Sequence, residues 1–320
     1  MTSLKHLPIL SADDVERALS RDRAAAALTR ALRAGLEPGE DLERSVLEVT
    51  GGQLLLMPSA GTSAVGLKTV TLAAGNPSRG LPRIQGAYLL FGAGTLELRA
   101  IMDGIAVTNL RTPAVSVAAT APLFTRFTRP IELVVFGAGP QAVGHVEAVQ
   151  AVDSVQLADV TYVVRHPDRA REQLPPHATV VSADSPDVTA RLGRAQVVVC
   201  ATSARTPLFD SAHLTDGTVV IAVGSHEPDV RELDGPLMAR AHVVVEDVRT
   251  ALREAGDVVL AIREGHLHAD ELIPMADVVR GTRTLPPDRT VVLKSVGMSW
   301  QDLVVAEELI EQHQRGASSG

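Results

Sequence analysis

The chain has a single cysteine among its 320 residues, Cys200, in the apolar run AQVVVCATSA. One thiol excludes an internal disulfide framework and any metal site built from several cysteines, and in that setting it reads as a core thiol. A surplus of basic charge is missing as well: 30 Lys and Arg stand against 38 Asp and Glu, for a formal net charge of -8. With a pI of about 5.7 there is no basic stripe for phosphate backbones or anionic lipid. Nucleic acid and membrane surfaces are therefore poor partners, and a small molecule is the better one. No run approaches the ~18 consecutive apolar residues of a membrane span. The N-terminal stretch MTSLKHLPILSADDVERAL lacks an apolar segment of signal-peptide length, and Asp13, Asp14 and Glu16 are out of place in a transit peptide, so a cytoplasmic protein is expected.

What is present fits a soluble globular chain: 45% hydrophobic and 21% charged residues, long enough for two domains rather than one or three. Ser11 followed by Asp14 and then apolar residues at helical spacing predicts an N-capped helix from residue 11. Short β-like runs follow, QLLLMP, AVGLKTVTL and AYLLFGAGTLELRAIMDG, punctuated by Gly, Pro and Asn in the manner of an antiparallel sheet. VTNLRTPAVSVAATAPLF reads as a strand end leading into an Ala-rich helix. Beyond Pro130 the rhythm changes to fully apolar strands alternating with helical stretches, which predicts a parallel sheet covered on both faces, the doubly wound Rossmann arrangement of an α/β protein. After Pro287 a further strand leads into a long amphipathic helix, expected to pack back on the first domain.

The stretch VVFGAGPQAVGHVEAV, residues 134–149, lies at the start of that second region. A lone G-x-G is weak evidence, but here it follows an apolar strand, opens a helix and precedes repeating β-α units. Gly137 permits the turn, Gly139 lets a pyrophosphate approach the backbone, and Ala142 or Gly144 lets the helix sit close to the strand. Gly137, Ala138, Gly139, Pro140 and Gln141 are thus candidate contacts of a dinucleotide. Which dinucleotide depends on the end of the next strand, TYVVRHPDRA, where an acidic residue would hold the ribose hydroxyls of NAD(H). Arg165 stands there, with His166 and Arg169 nearby, so a 2′-phosphate meets positive charge and NADP(H) is favoured over NAD(H). The alternative is that the arginines are ordinary solvated residues and Asp168 serves the ribose.

Five segments, LKTVTLAAGNPSRGLP, MDGIAVTNLRTPAVSVAA, VFGAGPQAVGHVEAV, AVGSHEPDVRELD and VVLKSVGMSWQDLVVAE, together resemble the ornithine cyclodeaminase/mu-crystallin family, in order, over roughly residues 40 to 310. The resemblance implies a Rossmann NAD(P)-binding domain, residues 126–289, and a discontinuous α+β substrate-binding and dimerisation domain, residues 1–125 completed by 290–320. It also implies a homodimer, and a carboxylate clamp of Arg44, Lys68 and Arg111. A guanidinium binds a carboxylate bidentately and an ammonium adds a point charge, which suits an amino or imino acid. Lys68 also stands out in its own right, because a lysine interrupting the apolar run AVGLKTVTL either snorkels or has a partner. By the same resemblance Asn76, Thr112 and Ser116 lie near the cofactor, Thr202 and Ser203 end the fourth Rossmann strand, Val223 and Gly224 end the fifth, and Val296 and Gly297 lie near the nicotinamide. Each of these is equally a cap or turn residue by type.

Two positions depart from the cyclodeaminase pattern. Leu55 stands where those enzymes have a glutamate two residues before the Met-Pro pair, and His226 stands in place of an aspartate in VGSHEPD. Without both carboxylates a diamino acid has no anionic partner, while Leu55 gives the apolar wall of the reductase branch. The expected activity is NADPH-dependent reduction of a cyclic imino acid, such as 1-pyrroline-2-carboxylate or 1-piperideine-2-carboxylate, with His226 or Lys68 supplying the proton. The alternatives are an NAD-dependent ornithine or amino-acid cyclodeaminase or alanine dehydrogenase-like enzyme, and a non-catalytic NADPH-dependent binding protein. No metal is expected.

Overall fold

The computed structural model describes residues 6–318, with side chains through residue 315, so residues 1–5 of the N-terminal stretch lie outside it. The chain forms two compact units, one running up to Val115 and resuming at Met298, the other spanning Ser116–Gly297. The first opens with β1 (Ile9–Leu10), α1 (Ala12–Ala18) and α2 (Arg21–Arg33). Ser11 caps α1: its Oγ accepts from the Asp14 amide at 3.3 Å while the Asp14 carboxylate accepts from the Ser11 amide at 2.9 Å. The helical stretch is nonetheless broken in two, because Leu19 and Ser20 are extended and Ser20 takes the N-cap position of α2.

Five further strands follow: β2 (Ser45–Val49), β3 (Gly52–Ala60), β4 (Ala64–Leu72), β5 (Ile84–Gly92) and β6 (Leu98–Asp103). They form a sheet in the order β1-β6-β5-β4-β3-β2, antiparallel except for the β1/β6 pair. The period of two along β4 buries Ala64, Gly66, Lys68 and Val70 on one face. The strand expected to end within VTN instead ends at Asp103, whose carboxylate accepts from the amides of Ile105 and Ala106 at 2.9 and 2.8 Å and so starts α3 (Gly104–Phe124) early. Pro113 inside that helix cannot donate to the Asn109 carbonyl, which accepts from the Arg21 guanidinium at 3.0 Å instead.

The second unit contains β7 (Ile131–Phe136), α4 (Pro140–Gln150), β8 (Leu157–Val164), α5 (Pro167–Arg171), β9 (Thr179–Ser182), α6 (Asp187–Leu192), β10 (Val197–Cys200) and β11 (Val219–Ala222). It continues with α7 (Gly235–Arg240), β12 (His242–Val245), α8 (Val248–Glu254), α9 (Gly256–Arg263), β13 (Ile273–Pro274), α10 (Met275–Arg280) and β14 (Val291–Lys294). The eight strands are parallel, in the order β13-β12-β14-β11-β10-β7-β8-β9. The order reverses between β7 and β10, the switch point at which a doubly wound sheet binds its ligand. Val197–Cys200 and Val219–Ala222 are buried throughout, as strands covered on both faces must be, and burial pushes the Cys200 thiol well above its ordinary range.

The unit boundaries differ from those expected at 125/126 and 289/290. The first falls inside the continuous helix α3, and β14 pairs on both sides within the parallel sheet because all four of its residues are buried among apolar strands. The chain then rejoins the first unit as α11 (Ser299–Ser318), which packs on α2, β3 and β4. Among the described residues no helix is long and apolar enough to cross a membrane.

Candidate active site

In the first unit the sheet gathers cations around one carboxylate. Lys68 on β4 pairs across to Met57 and Tyr88, and its side chain is 2% exposed. Its Nζ lies 2.7 Å from Oδ2 of Asp302 and 3.3 Å from the Thr108 hydroxyl on α3. One turn along α3, Arg111 donates through Nε to Oδ1 of Asp302 at 3.2 Å and through Nη1 to Gln301 at 3.0 Å. Asp302 and Gln301, in the first turn of α11, are fully buried. Asp302 therefore bridges the two buried cations of the expected clamp.

Burial pushes the Lys68 ammonium down to about 8 from its ordinary 10.5; the Asp302 charge opposes the fall, and those of Arg111 and Arg44 add to it. Arg44, half-buried just ahead of β2, thus shares the electrostatic neighbourhood of the other two. Leu55 is half-buried on β3, opposite Val46 and Val70, and alternation places it on the face of Met57 and Lys68. Lys68 and Arg111 against the single charge of Asp302, with Arg44 near enough to act on Lys68, leave positive charge for a ligand carboxylate. A buried ammonium with a pKa near 8 is mostly protonated at neutral pH and gives its proton up more readily than a solvated lysine.

Asp302 and Gln301 are absent from the expected site, yet Asp302 falls with Val305, Ala306 and Leu309 on the buried face of α11, at steps of three, four and seven. A carboxylate on an apolar helix face was the available signal. Asn76 and Thr112 also belong to this unit. The Asn76 amide donates to the Pro82 carbonyl at 3.0 Å and closes the loop between β4 and β5, and Thr112 is buried beside Arg111.

In the second unit the glycine loop has the shape a dinucleotide phosphate needs. Gly137 has φ +114°, and a Cβ there would stand 2.5 Å from the Ala201 carbonyl oxygen, so only glycine fits. A Cβ on Gly139 would meet nothing within 4 Å, leaving the backbone open to approach where Gly139 caps α4, with Ala138 before it and Pro140 in the first helical position. The Gln141 carbonyl accepts from Nδ1 of the buried His145 at 2.7 Å. Since a carbonyl only accepts, Nδ1 carries a proton, and Nε2 hydrogen-bonds with the Ser116 hydroxyl at 2.9 Å. Ser116 is thereby tied to α4.

At the end of β8, Arg165, His166 and Arg169 are exposed, and neither arginine makes an ion pair among the described residues. Asp168 instead lies 3.4 Å from Arg171. Thr202, just past β10, and Gly224, just past β11, both donate to the buried Glu232. Ser203 is exposed, and the half-buried Val223 donates to the Cys200 carbonyl at 2.9 Å. The amides of Val296 and Gly297 donate to Glu246 at 2.8 and 3.0 Å. His226 is exposed in the loop after β11 and follows the buried Ser225. Glu232, Glu246 and His145 are further additions. Glu246 directly follows the parallel strand β12, which is a readable position, whereas nothing local distinguishes the other two.

The ornithine cyclodeaminase/mu-crystallin family model matches residues 6–317. The ketimine reductase mu-crystallin of Rattus norvegicus is 32% identical over 322 residues, covering 96% of this chain and 97% of that protein. Delta(1)-pyrroline-2-carboxylate reductase 2 of Burkholderia ambifaria is 31% identical over 317 residues and 95% of each chain. Among solved structures, the fold is similar to that of Thermococcus litoralis Delta(1)-pyrroline-2-carboxylate reductase in complex with NADH and L-proline, with a TM-score of 0.84 at 24% identity over 97% of this chain and 98% of that one.

Proposed function

The chain belongs to the ornithine cyclodeaminase/mu-crystallin family as an NAD(P)H-dependent oxidoreductase, and we propose that it reduces a cyclic imino acid, such as 1-pyrroline-2-carboxylate or 1-piperideine-2-carboxylate, to the cyclic amino acid, with NADPH preferred. The observation that carries this reading is the pairing of Lys68 and Arg111 with Asp302, with Arg44 near enough to act on Lys68 and Leu55 rather than a carboxylate on the same sheet face. The arginines take the substrate carboxylate, and Leu55 offers an apolar wall to the ring. Bound NAD(P)H supplies the hydride that adds to the imine carbon.

The ring nitrogen needs a proton for the carbon centre to accept that hydride, and Lys68 is the donor. Its ammonium is buried, held toward a lower pKa and oriented by Asp302 and Thr108. The rival donor, His226, sits on an exposed loop, where water competes for its proton. The residues fit the cofactor: the positive φ of Gly137, the open backbone at Gly139 and the switch point provide its phosphate cradle, and Arg165 and Arg169 favour a 2′-phosphate.

The protein acts as a homodimer through the first unit, where Val46, Leu47 and Val49 of the edge strand β2 are 51%, 45% and 48% exposed. The function is tested by adding 1-pyrroline-2-carboxylate or 1-piperideine-2-carboxylate to protein and NADPH and following nicotinamide absorbance. Consumption with formation of proline or pipecolate is expected. Ammonia release from ornithine faster than any imine reduction would overturn the reading.

A further inference from the structure

Glu232 has no accessible surface, and its carboxylate joins the loops leaving two neighbouring strands. Oε1 accepts from the amide and hydroxyl of Thr202, both at 2.8 Å, and Oε2 accepts from the Gly224 amide at 2.7 Å. The two loops touch: a Cβ on Gly224 would lie 2.1 Å from the Thr202 carbonyl oxygen and 2.4 Å from Oε1 of Glu232. Two backbone N–H groups and a hydroxyl converge on this carboxylate, an arrangement that matches an acceptor-only group.

The carboxylate is itself anchored. The amides of Glu232 and Leu233 donate to Oδ1 of Asp257, each at 2.8 Å, and Ser225 donates to Oδ2 at 2.6 Å. Lys294, the last residue of β14, lies 3.1 Å from Asp257 and donates to the Ser225 carbonyl at 2.6 Å and its hydroxyl at 2.9 Å. Burial works against the charged form of Asp257, yet Lys294 and these hydrogen bonds hold its carboxyl below its ordinary range. Two buried carboxylates and a buried ammonium are costly to desolvate, and apolar side chains would fill the same space at less cost. Their position at the carboxyl ends of β10, β11 and β14, where a doubly wound sheet holds its ligand, gives the arrangement a purpose.

A dinucleotide with its phosphates on the amino end of α4 extends one half over β8, beside Arg165 and Arg169, and the other over β10 and β11. We propose that Glu232 is the positioning residue for the nicotinamide half, fixing Thr202 and Gly224 against each other so that the loops after β10 and β11 present one preformed surface. This rests on the NAD(P)H-dependent reading above. It distinguishes the two halves of the cofactor, because the Glu232 carboxylate accepts its hydrogen bonds from Thr202 and Gly224 and not from the glycine-loop or β8 residues on which the adenosine half depends.

The test is calorimetric titration of the full chain with NADPH and with 2′-phospho-ADP-ribose, which lacks the nicotinamide riboside. Glu232→Gln turns one acceptor oxygen into a donor facing a donor. It is expected to weaken NADPH by roughly tenfold or more while leaving the fragment within about twofold of wild type. Thr202→Val removes only the hydroxyl donor and is expected to show a smaller loss with the same selectivity, which carries the test should Glu232→Gln fail to fold. Unchanged NADPH affinity in the folded variants, or equal losses for NADPH and the fragment, overturns the positioning role. If the wild type binds neither molecule, the cofactor reading itself fails and this inference with it; wild-type binding of both confines any failure to Glu232.

Discussion

Lys68 and Asp302 meet at 2.7 Å with both side chains buried, an ion pair between the middle of β4 and the first turn of α11. A buried pair stabilises little by itself, since desolvation offsets the attraction, but breaking one is costly. If Lys68 is the acid, kcat/KM for imine reduction falls as pH rises through about 8, by about tenfold per unit beyond it. The Asp302 charge supports the ammonium, so Asp302→Asn moves that limb to lower pH, and it destabilises the fold by about 3 to 5 kcal/mol less whatever Lys68 regains by shedding its proton. The check is the pH profile of kcat/KM on one substrate for wild type, Asp302→Asn and His226→Ala, because the imine titrates too. If the limb disappears in His226→Ala, it belongs to the histidine and Lys68 loses the assignment.

The same lysine predicts a direction for stability. Its folded pKa lies below its ordinary 10.5, so between about 8 and 10.5 the unfolded chain holds a proton that the folded chain has released. Its contribution is therefore unfavourable below about pH 8, and that penalty fades as pH rises toward 10.5. Denaturant titrations across that range show whether Lys68→Met removes the rise; a variant that keeps the wild-type slope excludes Lys68 as its source.

Arg111→Ala and Arg44→Ala are expected to weaken the imino acid rather than the dinucleotide. Each leaves the substrate carboxylate underpaired, so KM rises by about 10- to 100-fold while the Kd for NADPH stays within about twofold. Arg111 carries the larger effect because it is buried and touches Asp302, whereas Arg44 is half-buried. Steady-state kinetics beside cofactor titration make the comparison, and wild-type KM values in both variants would remove the clamp.

These residues differ in how much the sequence says about them. The glycine loop is legible because strand, turn and helix are local, and Lys68 because a charge in an alternating apolar strand has to be explained. Asp302 is legible in retrospect from the face it occupies on α11, but its pairing with Lys68 joins positions 234 residues apart, beyond the reach of any local pattern. Glu232 and His145 read locally like any loop acid or helix histidine; only the packing of distant segments brings Glu232 to Thr202 and Gly224 and His145 to Ser116. β14 lies in the parallel sheet rather than in the first domain for a related reason, since three consecutive apolar residues state that a strand is buried without stating which sheet buries it.

Cofactor preference follows from the exposed end of β8. Arg165 and Arg169 make no ion pair among the described residues, and a 2′-phosphate there gains charged hydrogen bonds that a hydroxyl cannot match. NADPH is expected to bind about tenfold or more tighter than NADH, and Arg165→Asp to reverse the order. The two dissociation constants, measured at fixed ionic strength, decide it: equal values in the wild type, or tighter NADH, would assign the ribose to Asp168.

The last prediction concerns β2. An edge strand with Val46, Leu47 and Val49 about half exposed on both faces presents unpaired backbone and apolar side chains together, a combination that isolated soluble chains avoid. A second copy of the chain would cover it by symmetry, since a two-fold interface sets the same patch against itself. Val46→Asp introduces two like charges across such an axis and Leu47→Asp does the same on the other face of the strand, so whichever face is covered, one of the pair shifts the protein toward monomer. Because both residues are exposed within the chain, neither substitution disturbs its core, and the melting temperature at high dilution should match wild type. Sedimentation over a concentration series gives the answer. A wild type that stays monomeric at every concentration, or a dimer indifferent to both substitutions, rules out β2 as the interface.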